Sequence, residues 1–300
     1  MPPASLDLSQ PPLVTLIAGP TASGKSALAL KMARETGAVI INADSQQLYA
    51  DLRILTARPS EDEEAQADHR LYGVADAAEA WSVGRWSRAA VLILNELRKE
   101  NRPAIVVGGT GLYFTALTRG LADIPPVPTT VRDQLDTDFL TDGESLFRAR
   151  LSEIDPEAAQ AIEAGDRQRL VRAMSVHAAT GRSLTAWKAE TRPLLEPGSW
   201  TGTVIEPDRS ILYGHCDRRV DLMVETGALE EVRRLVARDL SPVLPAMKAV
   251  GVPELAAYVS GALDRETAVA ALKQATRNYA KRQLTWFRNQ CRDWSRLARP

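Results

Sequence analysis

The chain has 300 residues, 45% of them apolar and 25% charged, with a formal net charge of −1. That is the composition of a soluble globular protein able to build its core without staples, and it argues against a surface coated in positive charge. Cys216 and Cys291 form no C-x-x-C pair, and His69, His177 and His215 show no metal-binding spacing, so a cytoplasmic protein without structural zinc is expected.

Residues 1–12 read as a loose tail, and the apolar run from Leu13 to Ala18 is too short for a signal peptide or a membrane span, so no membrane partner is expected. That run reads as a first strand. It is followed by Gly19, Pro20, Thr21, Ala22, Ser23, Gly24, Lys25 and Ser26, which fit the phosphate-loop pattern G-x-x-x-x-G-K-[ST], and then by a helical stretch from Lys25 to Glu35. Strand, glycine loop and helix in that order present backbone N–H groups and a helix dipole to an anion. Lys25 adds a point charge, and the Ser26 hydroxyl can hold Mg²⁺. The loop is predicted to take a diphosphate or triphosphate.

Residues 38–44 read as a short apolar strand ending on the carboxylate of Asp44, where a side chain could point across a sheet edge toward a second substrate. Asp44 could be a base for an acceptor, or it could cap a helix from Ser45 to Tyr49. Val83, Trp86, Ala90, Ile93, Leu94 and Leu97 recur at helical spacing behind Ser82 as N-cap. A buried strand, Ala104 to Val107, then runs into Gly108, Gly109, Thr110 and Gly111. The alternation predicts an α/β fold: a parallel-sheet core of the P-loop NTPase-like kind, with ligands at the carboxyl ends of the strands. The second apolar strand ends without the carboxylate that a motor or switch NTPase uses to support Mg²⁺.

Proline-rich punctuation at 124–128 and 192–198 brackets a stretch with helical but no strand patterning, which predicts an inserted all-helical subdomain over 122–200 in a core made of 13–121 and 201–300. Residues 203–206 read as a returning strand. Helices are expected at 208–226, 228–238 and 264–290. On the last, Leu272, Ala275, Tyr279 and Trp286 share a core face at about 100° per residue, opposite Arg277, Lys281 and Arg288. From Ala271 to the end there are eight basic residues (Lys273, Arg277, Lys281, Arg282, Arg288, Arg292, Arg296, Arg299) and one acid, Asp293. Such an excess fits a solvated helix face or nucleic-acid contact.

The ordered set of residues 19–26, Asp44-Ser45-Gln46-Gln47 with Tyr49, residues 107–113, Gln168-Arg169-Leu170-Val171-Arg172, and residues 280–288 resembles the tRNA dimethylallyltransferase family along nearly the whole chain. The resemblance implies transfer of a dimethylallyl group from dimethylallyl diphosphate to the exocyclic amine of the adenosine just 3′ of the anticodon, in tRNAs reading codons that begin with U. The partners it implies are the tRNA anticodon stem-loop and the diphosphate donor, with Mg²⁺ as cofactor and a monomeric enzyme. By the same resemblance Asp44 is the acceptor base, and Lys25, Thr21 and Arg219 join the loop residues on the diphosphate. Implied tRNA contacts are Asp44, Ser45, Gln46, Gln47, Thr110, Arg132, Gln168, Arg169, Leu170, Val171, Arg172, Lys248, Ala249, Val250, Gly251, Val252, Pro253, Lys281, Arg282, Gln283, Leu284, Thr285, Trp286, Phe287 and Arg288. The chain departs from the family pattern at Arg53 and Leu55, where an Asp and a Gly are usual, at His215 and Cys216, and at Val252 and Pro253. Competing readings are a prenyltransferase of free adenine nucleotides, a small-molecule kinase and a non-catalytic RNA-binding module.

Overall fold

The computed structural model describes residues 14–298; residues 1–13, which include the tail and Leu13, and residues 299–300 lie outside that range. The chain separates into two compact units, one running up to Thr118 and from Leu195 onward, the other Arg119–Leu194. The predicted insertion began three residues late and ended six residues late. Leu195 donates its N–H to Leu117 O (2.8 Å), and Trp200 already opens a core strand.

The larger unit is built on six parallel strands in the order β3-β2-β4-β1-β5-β6. They are β1 (Val14–Ala18), β2 (Val39–Asn42), β3 (His69–Arg70), β4 (Ala104–Gly108), β5 (Trp200–Ile205) and β6 (Ser295–Leu297). The central strands are apolar at almost every position because both faces are covered. Alternate residues serve alternate faces. Ile17, Ile40, Ile105, Val107 and Ile205 pack against Ala29 and Ala33 of α1 (Lys25–Thr36), while Leu16, Val39, Ile41, Val106 and Val204 join the core beneath α3 (Val83–Lys99) and the last helix. β3 and β6 were not expected: both are edge strands of two or three residues, too short to carry a hydrophobic period.

A single turn of helix, α2 (Glu61–Glu64), precedes β3, and α4 (Gly111–Thr118) follows β4. The smaller unit contains α5 (Thr129–Ile154), interrupted at Gly143, then α6 (Pro156–Ala161), α7 (Arg167–Thr180) and α8 (Leu184–Ala189). Its own core includes Leu135, Phe147, Leu151, Leu170 and Met174. After β5 come α9 (Arg209–Glu225), α10 (Ala228–Val236), α11 (Val252–Val259) and α12 (Arg265–Gln290). Among the described residues no helix is long and apolar enough to cross a membrane.

On α12 the buried line is Leu272, Thr276, Ala280, Gln283, Leu284 and Phe287, so the predicted face is rotated; Ala275, Tyr279 and Trp286 are partly buried flanks. Ideal periodicity drifts along 26 residues, so a face extrapolated over the whole helix departs from the observed one. The opposite face is less free than its composition implies. Arg277 pairs with Asp217, Lys273 with Asp221, and Arg288 with Glu206, which also takes Arg296 of β6.

Candidate active site

β1 ends in the phosphate loop, and α1 begins immediately after it at Lys25. Gly24 holds the helix start in the left-handed region (φ 83°), where glycine adopts the conformation without strain. Ala22 is also left-handed (φ 63°), a conformation that non-glycine residues seldom take. Alternation of this kind turns successive N–H groups toward one concavity. Lys25 folds back to donate to Pro20 O at 3.2 Å, and the Ser23 hydroxyl is buried with no hydrogen-bond partner. A buried orphan hydroxyl is costly unless a ligand satisfies it.

The loop forms one wall of a cavity of about 270 Å³. Lys25, Ser26, Arg58, Glu63, His69, Tyr72 and Arg219 are among the residues that line it. Arg219 is delivered by α9, whose buried side at Leu212, Cys216 and Val220 packs into the core. Its guanidinium donates to Thr21 Oγ1 at 3.2 Å. A second, smaller cavity of about 30 Å³ adjoins Thr21 and Arg219 and is lined by Asp44, Gln46, Tyr279 and the apolar Leu55, Met223, Val250 and Leu272. Arg219 borders both cavities.

Asp44 lies two residues beyond the carboxyl end of β2, an interior strand of the sheet. No helix forms at 45–49. Asp44 instead makes an Asx turn, its Oδ1 accepting from Gln46 N at 3.0 Å, while its Oδ2 faces Gly109. Its backbone is fixed by Asn42, buried completely, which accepts from Asp44 N (2.7 Å) and donates to Asp44 O (3.0 Å) and Leu71 O (2.9 Å). Thr110 sits alongside: its N–H donates to Ala43 O, and its hydroxyl accepts from Ser45 N at 2.9 Å.

Burial pushes the Lys25 ammonium down from 10.5 to about 8; the nearby Asp44 charge opposes that shift and the Arg219 charge adds to it. Burial also lowers the Arg219 guanidinium from its ordinary value. The phenols of Tyr72 and Tyr279 are pushed up by the same desolvation, and the Cys216 thiol is raised to about 11.

The structure brings together Thr21, Lys25, Ser26, Asp44, Gln46 and Arg219 around these two cavities. The implied tRNA set divides by burial. Leu170, Val171, Ala249, Gly251, Val252, Gln283, Leu284 and Phe287 are buried and cannot present side chains to RNA. Arg132, Gln168, Arg169, Arg172, Lys248, Pro253, Lys281, Arg282, Thr285 and Arg288 are exposed. Arg169 is paired with Asp166 and Arg132 with Asp133.

Sequence reading missed Glu63, His69 and Tyr72, which have no motif and converge only in space, and gave no site role to Arg58, which lines the same cavity. It also missed Glu231. This carboxylate, 4% exposed, accepts from the N–H groups of Arg53 (2.7 Å), Ile54 (2.9 Å) and Leu55 (2.8 Å). It thereby fixes the turn at the two positions that depart from the family pattern, and with it Leu55 and Arg58, which line one cavity each.

Among the described residues no cluster of three or more His, Cys, Asp or Glu could hold a metal ion. Mg²⁺ is commonly held by one or two protein oxygens together with substrate phosphates and water. The exposed Ser26 hydroxyl at the start of α1 is a donor of that kind.

A family model described as IPP transferase matches residues 47–290. The chain is 58% identical over 284 residues to the tRNA dimethylallyltransferase of Caulobacter sp. (strain K31), covering 95% of this chain and 92% of that protein. Its fold superposes on the full-length tRNA isopentenylpyrophosphate transferase of Bacillus halodurans with a TM-score of 0.68, at 31% identity, over 95% of this chain and 89% of the other. A eukaryotic dimethylallyltransferase acting on tRNA gives a TM-score of 0.81 at 25% identity, over 95% of this chain and 73% of that one. With the family model spanning most of its length and the Caulobacter protein matched over 95% of it, this phosphate-loop chain belongs to the tRNA dimethylallyltransferase (IPP transferase) family.

Proposed function

We propose that the protein is a cytoplasmic monomer that transfers a dimethylallyl group from dimethylallyl diphosphate to the exocyclic amine of the adenosine 3′-adjacent to the anticodon, in tRNAs reading codons that begin with U. The observation that carries this reading is the placement of a buried carboxylate, Asp44, in a cavity that shares Arg219 with the phosphate-loop cavity. The names of the relatives support the same chemistry.

In this reading the loop N–H groups, Lys25, the Thr21 and Ser23 hydroxyls and Arg219 hold the diphosphate and stabilise the charge it gains on leaving. Ser26 would hold Mg²⁺, which supplies further charge neutralisation when bound. The amine nitrogen attacks the allylic carbon, the carbon–oxygen bond breaks with its electron pair going to the diphosphate, and the amine proton passes to Asp44 Oδ2. Oδ1 is already committed to the Gln46 N–H, which orients the second oxygen. Leu55, Met223, Val250 and Leu272 give the prenyl carbons an apolar lining that keeps water from competing for them. A stacked adenosine has to be flipped out to reach such a base. The exposed basic residues Arg132, Arg169, Arg172, Lys248, Lys281 and Arg282 are proposed contacts to the tRNA.

The test is incubation with labelled dimethylallyl diphosphate, Mg²⁺ and either total tRNA or AMP, beside labelled ATP with tRNA. Prenylated adenosine in tRNA with no product on AMP and background phosphate release from ATP is expected. Product on AMP alone would make the protein an adenine-nucleotide prenyltransferase, and RNA-stimulated ATP turnover would overturn the transferase reading.

A further inference from the structure

Gln283 belongs to the run 280–288 that resembles a tRNA-contacting motif, yet its side chain is 5% exposed and both ends of its amide are engaged inside the larger unit. Its Oε1 accepts from Thr21 N at 2.8 Å, and its Nε2 donates to Gly109 O at 2.9 Å. One amide therefore ties the diphosphate loop to the Gly109-Thr110 loop. A Cβ on Gly109 would stand 2.1 Å from Gln283 Nε2 and 3.3 Å from Asp44 Oδ2, so this glycine permits the approach of both.

Thr21 is held twice as a result. Its N–H is turned to Gln283 and its hydroxyl accepts from Arg219. On the other side Thr110 is bonded to Ala43 O and to Ser45 N, the residues flanking Asp44. Around Gln283 the motif docks rather than reads. Trp286 lies where a Cβ on Gly111 would be, and Phe287 packs edge-to-face on Phe114 of α4 (centroids 6.1 Å apart). Leu284 packs beneath Ala22 of the phosphate loop together with Leu212 and Cys216 of α9.

The geometry points to Gln283 as a positioning residue that sets the spacing between the leaving diphosphate at Thr21 and the base at Asp44, acting through its two loops and touching neither substrate. This inference rests on the prenyl-transfer reading above. Transfer requires the leaving oxygen, the allylic carbon and the amine nitrogen in line, with the base off that axis within reach of the amine proton, and displacement of such groups by about 1 Å can cost on the order of 10²-fold in rate.

Single-turnover transfer, donor affinity and tRNA affinity are measured for the parent and for Gln283→Leu and Gln283→Glu. Gln283→Leu keeps the volume and removes both hydrogen bonds; it is expected to slow transfer about 10²-fold while both dissociation constants stay within about threefold. Gln283→Glu adds a signature that a packing role lacks. Protonated, the carboxylic acid offers one donor and one acceptor, as the amide does; ionised, it offers only acceptors and sets one against Gly109 O. Its rate relative to the parent is therefore expected to rise as pH falls from about 8 to about 5. If thermal melting shows that Gln283→Leu does not fold, the Gln283→Glu profile decides alone. A Gln283→Leu rate within about threefold of the parent, or a pH-independent Gln283→Glu ratio, overturns the inference. So does weakened tRNA binding with a shallower salt dependence, which would return Gln283 to direct RNA contact. A parent that prenylates no tRNA sinks the functional reading and this inference with it, whereas an active parent beside unaffected variants sinks the inference alone.

Discussion

Lys25 offers a quantitative test of the diphosphate cradle, because its charge is poised within the accessible pH range. Burial holds its ammonium at about 8 instead of 10.5. In the free protein roughly nine in ten Lys25 side chains then carry the proton at pH 7 and roughly one in ten at pH 9. A diphosphate binds the charged form, so donor affinity and donor kcat/KM should be nearly full at pH 7 and below and about half-maximal at pH 8. Both should fall roughly tenfold between pH 7 and pH 9, since kcat/KM reports groups of the free enzyme. The Cys216 thiol beside it, raised to about 11, stays protonated through this window and does not contribute. Two substitutions should move the limb in opposite directions. Asp44→Asn removes a charge that favours the ammonium and should shift the fall in donor affinity to lower pH. Arg219→Met removes one that disfavours it and should shift the fall to higher pH, on top of a weaker overall affinity. Isothermal titration of dimethylallyl diphosphate into the tRNA-free protein from pH 6.5 to 9.5 (about half a unit per step) measures all three. An alkaline limb that stays flat to the end of that range, or an Asp44→Asn limb displaced upward, would refute the assignment of Lys25 to the cradle.

Asp44→Asn should also lower single-turnover transfer by about 10² to 10⁴ at pH 7, with donor binding retained; a rate near that of the parent would reduce Asp44 to the Asx turn it makes with Gln46. Glu231→Gln replaces one carboxylate oxygen with an amide that cannot accept from the N–H groups of residues 53–55, and should cost about 1–3 kcal/mol in urea unfolding; unchanged stability would show that the turn holds itself. Lys281→Ala should make the slope of log K for tRNA against log salt shallower by about 0.7 to 0.9. Arg277→Ala and Arg288→Ala, whose charges face Asp217 and Glu206, should change it less; equal slopes for all three would show that those ion pairs open on RNA.

Much of the core was legible in the sequence for a local reason. The phosphate loop needs glycines at fixed spacing between a strand and a helix, so eight contiguous residues carry its geometry, and β1, β2 and β4 announce themselves as apolar runs because both their faces are buried. Arg219 is different, since its assignment came from resemblance to the family alone: on α9 nothing but the packing of Leu212, Cys216 and Val220 aims it at Thr21.

What only the tertiary structure decided are contacts between residues far apart in the chain. Glu231 caps a turn 176 to 178 positions away, and Gln283 bridges Thr21 and Gly109 across 262 and 174 positions. No local pattern distinguishes a glutamate that caps a distant loop from one that faces water. The same limit applies to the run 280–288. Its residue types suit RNA contact, but which of them face outward depends on the rotation of α12, whose buried line runs through Thr276, Ala280, Gln283 and Phe287. Sequence determines which groups are available and how each short segment prefers to fold; their distances and burial, and so the charge state of Lys25 and the partner of Gln283, arise only when segments hundreds of residues apart exclude water together.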